Sequence, residues 1–287
     1  MAAARDIDSP TTTQMPLNTG TYLPAVGLGS YNTPYTDLTK TIDEALAAGY
    51  RLFDTAPVYY KEDLLKKAFS TLLPKYELER EDIFITTKLS RALQHGAHGI
   101  RNACEHSLQN LGMDYIDLYL LQMPMGAKCA CDKENIKIRN TIWSNFVELY
   151  DFGLVNAIGV SNFTMQQLQQ LMKYNHGVIP AVNQVEWHPL CHKTELLEFC
   201  KENNIVLQAT SPLGHSVATN DSLLNHPTVI KIAKNMEVSP SQILLAWSVQ
   251  QDVAVVPRTL NPVHMKQNIS LNFTIPNEYM RVLNHLV

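Results

Sequence analysis

Acidic, basic and amide side chains recur at one kind of place in this sequence, directly behind a short apolar run. Asp54 closes "YRLFD", Lys88 closes "IFITTK", Gln122 closes "YIDLYLLQ" and Arg258 follows "VAVVP". Ser161 with Asn162, Gln184 and Ser211 hold equivalent positions. An ionisable group behind apolar residues is rarely surface decoration, because a buried charge needs a partner. Asp54 and Lys88 are opposite in sign, so they can meet as an ion pair that either closes a core or serves chemistry. The tyrosines of "APVYY" (56–60) favour chemistry. An ammonium beside a tyrosine favours phenolate, which lowers the phenol's pKa and makes it a usable general acid near neutral pH. Gln122 raises a separate question. Pro124 ends its run, and a neutral amide at a buried tip must find partners or cost free energy.

Those tips need elements that bring them together. Eight apolar, β-branched runs occur, at 25–30, 50–56, 82–89, 115–122, 155–162, 181–187, 205–213 and 253–259, each followed by helix-period sequence. In "DLTKTIDEALAAG", for example, Leu38, Ile42, Ala45 and Leu46 share one face. Continuous apolar runs suit parallel strands buried on both faces. Eight such units predict an α/β fold, a (β/α)8 TIM barrel, with chemistry at the C-terminal ends of the strands. An open doubly wound sheet would carry a glycine-rich turn after its first strand, and "GLGSYN" (27–32) lacks the third glycine. Residues 15–287 are expected to form one barrel domain, and 1–14 a disordered leader.

Bulk properties exclude other classes. A formal net charge of −4 offers no basic field for nucleic acid. No apolar segment is long enough for a membrane span, and the N-terminal stretch has no hydrophobic core for secretion, so a cytoplasmic monomer is expected. The 5 cysteines are too few and too irregular for a disulfide framework. "CAC" (129–131) reads as two reduced thiols in a loop, and "HGAHG" (95–99) as a loop without a third metal ligand.

With these residues in hand, the chain resembles the aldo-keto reductases over nearly its whole length. "GYRLFDTAPVYYKE" (49–62) is similar to the family's G-x-R-x-x-D-x-A-x-x-Y-x-x-E signature. "GLVNAIGVSNF" (153–163) and "PAVNQVEWHP" (180–189) resemble two further blocks. The resemblance implies NADPH-dependent reduction of a small-molecule carbonyl substrate, with no metal. Spacing from Asp54 then selects Tyr59 over Tyr60 as proton donor, with Lys88 lowering its pKa and Asp54 holding the lysine. Ser161, Asn162 and Gln184 fall where the family binds the nicotinamide carboxamide, and Ser211 with Leu213 where it wraps the pyrophosphate. Arg258 and Thr259 match the pair that grips the 2′-phosphate, and Asn268 the adenine-contacting asparagine. Ser30, Tyr31, Thr210, His264 and Gln267 complete the implied cofactor site, and Tyr31 with Met123 the substrate pocket.

Departures from the family pattern fall on the site itself. Gln122 replaces its active-site histidine, Thr210 its nicotinamide-stacking aromatic, Met123 a pocket aromatic and His264 an arginine. A slow reductase is the expected outcome, the alternative being a reductase-like barrel that binds NADPH as a sensor or docking protein.

Overall fold

A computed structural model of the chain describes residues 10–286, apart from residue 12 and the segments 91–96, 125–131 and 215–222. An antiparallel hairpin, β1 (Gln14–Pro16) and β2 (Tyr22–Pro24), comes first. Eight strands follow: β3 (Leu28–Gly29), β4 (Leu52–Asp54), β5 (Phe84–Leu89), β6 (Leu118–Leu121), β7 (Ile158–Ser161), β8 (Val182–Glu186), β9 (Val206–Thr210) and β10 (Val253–Val255). They pair in parallel in sequence order, β3 to β10. The seam closes where Val26 bridges Val255, with Gly27 N donating to Val255 O and Val255 N to Ala25 O, both at 2.8 Å. The sheet is therefore a closed (β/α)8 barrel, as the eight apolar runs predicted.

Burial on both faces explains why those runs are continuous. Inward-facing Leu52, Phe84, Leu118, Leu120, Val182 and Ala254 fill the barrel interior. Met15, Leu17 and Leu23 from the hairpin segment pack into the same cluster and plug its N-terminal end. Outward-facing Phe53, Ile85, Tyr119, Leu121, Ile158 and Val160 meet the helices in a second, larger core. In β7 only a glycine fits at position 159, since a Cβ there would lie 2.6 Å from Val182 O and 2.8 Å from Leu120 Cδ2.

The helices are α1 (Leu38–Ala47), α2 (Glu62–Lys75), α3 (Ala97–Leu111), α4 (Asp132–Asp151), α5 (Met165–Met172), α6 (Thr194–Glu202), α7 (Pro227–Met236), α8 (Pro240–Val249), α9 (Pro262–Ile269) and α10 (Asn277–Asn284). Local chemistry sets their starts. Thr164 with Gln167 and Ser239 with Gln242 form capping boxes at α5 and α8. Asn261 caps α9 by accepting from Val263 N, with Pro262 in the first turn.

Two expectations shift. Order begins before residue 15: Thr11 N donates to Ile269 O at 2.7 Å, and β1 already starts at Gln14. Residues 1–9 lie outside the described residues. Gly99 of "HGAHG" belongs to α3 and not to a loop, whereas His95 and both cysteines of "CAC" lie outside the described residues. No helix among the described residues is long and apolar enough to cross a membrane.

Candidate active site

At the C-terminal end of β4, Asp54 is buried with both carboxylate oxygens engaged. Oδ1 accepts from Lys88 Nζ at 2.6 Å, and Oδ2 from Gln184 Nε2 at 2.7 Å. Lys88 Nζ also donates to Thr55 O at 3.0 Å. Gln184 Nε2 lies 2.7 Å from Gln208 Oε1, so the chain of polar groups runs Lys88, Asp54, Gln184, Gln208 across β5, β4, β8 and β9. Sheet register sets the far end of this row, because Ser161, Gln184 and Gln208 are successive partners in β7, β8 and β9. An ion pair this deep needs partners for its remaining lone pairs and protons. Both Asp54 oxygens have them and Lys88 Nζ has two, whereas Gln208 Nε2 at the end of the row has none among the described residues.

Tyr59 follows Asp54 across a short turn and faces a cavity of about 370 Å³, whose wall also includes Asp54, Tyr31, Thr210, Ser211, Leu213 and Arg258. Tyr60 points elsewhere: it is 75% exposed, with a left-handed φ of 56°. Lys88 Nζ lies 5.5 Å from the centre of the Tyr59 ring, and the Tyr31 ring stands edge-on at 5.2 Å. The expected lowering of the Tyr59 pKa is overturned. Burial, then the Asp54 charge, then Tyr31 hold the phenol above its ordinary value of 10.0. Desolvation dominates, and the Asp54 charge adds to it, while Lys88 is already engaged by Asp54.

Gln122 sits just past β6, half-buried. Its backbone O accepts from Asn162 Nδ2 at 2.9 Å, while Met123 Sδ lies 3.2 Å from the same nitrogen. Asn162 takes a left-handed φ of 64°, which turns its amide back across the β6 tip. Ser161 Oγ donates to Gln184 O at 2.9 Å. Met123 is 40% exposed at the rim. Ser30 O accepts from the buried Lys61 Nζ at 3.0 Å, which anchors the segment carrying Tyr31.

A second cavity of about 320 Å³ adjoins the first and shares Leu213, Leu224 and Arg258 with it. Thr259, His264, Gln267 and Asn268 line its far end. Asn268 is 1% exposed, and its Oδ1 has no hydrogen-bond partner among the described residues. Arg258 is exposed, and among the described residues its hydrogen bond is a long one, Nη1 to Asn32 O at 3.4 Å.

The model of the aldo/keto reductase family matches residues 20–287. The chain belongs to the aldo/keto reductase family. The reductase is 36% identical to "Glycerol 2-dehydrogenase (NADP(+))" of Saccharomyces cerevisiae over 94% of this chain and 89% of that protein. It is 34% identical to "Aldose reductase B" of Dictyostelium discoideum over 92% of this chain and 89% of that protein. Among solved structures, the aldose reductase from Schistosoma japonicum superimposes with a TM-score of 0.86 at 31% identity, covering 95% of this chain and 91% of that one. The reductase is accordingly an oxidoreductase acting on carbonyl groups.

Sequence reading missed two polar groups of the reductase's site. Gln208 lies inside the apolar run "IVLQATSPL", where a fully buried amide was the available signal. Lys61 follows the two tyrosines and reads as a surface residue at a helix start, yet it is only 4% exposed.

Proposed function

We propose that this enzyme reduces small or medium aldehydes and ketones to alcohols with NADPH, using Tyr59 as the proton donor. The observation that carries the proposal is Tyr59 facing a cavity beside the buried Asp54–Lys88 pair. Residues on the chain suit the dinucleotide. Asn268 Oδ1, without a partner among the described residues, matches an amino donor of adenine, and the exposed Arg258 guanidinium suits a phosphate bidentately. Thr259, His264 and Gln267 would flank that end, Ser211 and Leu213 the pyrophosphate, and Ser161, Asn162 and Gln184 the nicotinamide amide. Ser30 and Tyr31 would lie over it.

When bound, reduced nicotinamide supplies a hydride. The chain supplies the rest. Tyr59 gives its phenolic proton to the carbonyl oxygen, and Lys88, paired with Asp54, lies 5.5 Å from its ring. Asp54 keeps Lys88 in place, and Gln122 donates a neutral N–H toward the same oxygen. Thr210 and Met123 put no large aromatic at their own two positions, so the wall beside Tyr31 and Tyr59 is more open, which favours apolar substrates of varied shape. The same reading gives a cytoplasmic monomer: every group used comes from one chain, and Cys104, Cys191 and Cys200 are free thiols.

The test is loss of reduced-nicotinamide absorbance against a panel of aldehydes and ketones, on a sample first titrated with NADPH by fluorescence. Tyr59→Phe is expected to lower kcat by about 10²–10⁴ while leaving NADPH affinity intact. Tight NADPH binding with no turnover above buffer would overturn the enzymatic reading.

A further inference from the structure

Just past the tip of β8, the chain makes a tight turn that pairs two chemically unusual neighbours. His188 N donates to Cys191 O at 3.1 Å, and Cys191 N returns to His188 O at 2.8 Å, so Pro189 and Leu190 form the bend between them. His192 anchors it from outside: its Nδ1 meets Pro189 O at 3.0 Å, and its ring packs edge-on against Trp187 and Trp247. The turn is therefore rigid at its base. It presents His188 and Cys191 beside Glu186, and one ligand atom from each of the three lies within 4.8 Å of the others.

Two details suit a metal better than a hydrogen-bonded pair. His188 Nε2 lies 3.3 Å from Glu186 Oε1, longer than the usual charge-assisted bond of about 2.7–2.9 Å. Yet two ligands bound at about 2.0 Å around a tetrahedral ion stand about 3.3 Å apart. His188 is also 7% exposed, and its Nδ1 has no hydrogen-bond partner among the described residues. The imidazole is thus held by packing, with Nε2 making only the long contact to Glu186. Glu186 and Cys191, by contrast, are exposed, and a sulfur ligand at about 2.3 Å requires an inward shift of roughly 1 Å.

We propose that Glu186, His188 and Cys191 bind a zinc-class divalent cation, with water as the fourth ligand. One carboxylate oxygen, one imidazole nitrogen and one thiolate form the mixed set that borderline ions take, and hard ions such as Mg²⁺ avoid sulfur. Binding replaces the Cys191 S–H proton, which passes to buffer. The site lies outside the carbonyl-reducing constellation but touches its frame, since Trp187 N donates to Thr210 O at 3.3 Å and Thr210 lines the first cavity. A bound ion would brace that stretch of wall.

The probe is Co²⁺, titrated into the full chain in a Cys129→Ser, Cys131→Ser background that removes the two cysteines outside the described residues. The expected result is one ion per chain with a thiolate-to-cobalt charge-transfer band, bleached by stoichiometric Zn²⁺. Cys191→Ser is expected to abolish the band, and Glu186→Gln to keep it while weakening affinity at least tenfold. Both positions are exposed, and unchanged metal-free melting curves check that the variants fold. No band in the background protein, or a band that survives Cys191→Ser, overturns the proposal.

Discussion

At the residue scale, the proposed mechanism joins a conventional acid with an unusual second donor. Tyr59 titrates above its ordinary value because burial and the Asp54 charge both penalise phenolate. The proton is therefore present throughout the neutral range and is lost only as pH climbs through that raised value. For carbonyl reduction, kcat/KM should be flat between about pH 6 and 9, whereas alcohol oxidation, which needs phenolate, should rise about tenfold per pH unit. Steady-state profiles in both directions check this, and a reduction rate that declines from pH 7 upward would refute it. Gln122 makes the opposite kind of claim. Losing an oxyanion donor outright costs about 10²–10³ in rate, so exchanging a neutral amide for an imidazole recovers some part of that. Gln122→His should raise kcat and add a dependence near pH 6.5, where imidazole titrates. A kcat that falls or stays level in the variant, measured with one substrate, contradicts the role. Much of this was legible in sequence: Asp54 and Lys88 stand out as charges ending apolar runs. What sequence could not weigh was the competition between a nearby cation and desolvation at Tyr59, because that depends on Lys88 being paired already.

At the element scale, the strands read clearly and the short pieces did not. All eight barrel strands coincide with apolar runs, because burial on both faces leaves no polar alternation to confuse them. The β1–β2 hairpin was missed since each strand has only 3 residues, too few to show a period. Helix α7 is a second helix between β9 and β10 that the eight-unit pattern does not call for, although Val229, Ile232 and Ala233 carry its buried face. The site inherits its precision from the strands, most visibly at β7. Gly159 sits two residues before Ser161, and a methyl there collides with the Val182 carbonyl and the Leu120 side chain. Gly159→Ala should destabilise the protein by about 1–3 kcal/mol and lower NADPH affinity by shifting Ser161 and Asn162. Denaturant unfolding with a parallel fluorescence titration tests both halves, and an alanine variant as stable as the parent would show that β6 and β8 separate more easily than close packing allows.

At the scale of the whole molecule, one end of the barrel is closed and the other carries a trough. Met15, Leu17 and Leu23 seal the N-terminal end, which leaves the strand tips as the accessible face. There the two cavities adjoin and share Arg258, so a single extended ligand can occupy both while each half of it can bind alone. Linking the halves makes the second contact intramolecular, so NADPH should bind more tightly than either fragment. On the proposed reading, Arg258 decides the adenosine end. Its contact to Asn32 O is long and easily released, whereas a hydrogen bond from guanidinium to a phosphate contributes about 1.5–3 kcal/mol. Arg258→Ala should therefore weaken both NADPH and 2′,5′-ADP by about 10- to 150-fold, change NADH affinity far less, and leave kcat at saturating cofactor almost unaltered. Competition titrations with the three ligands measure the ratio directly. Equal loss of NADPH and NADH would mean that Arg258 shapes the trough wall through packing and does not read the 2′-phosphate.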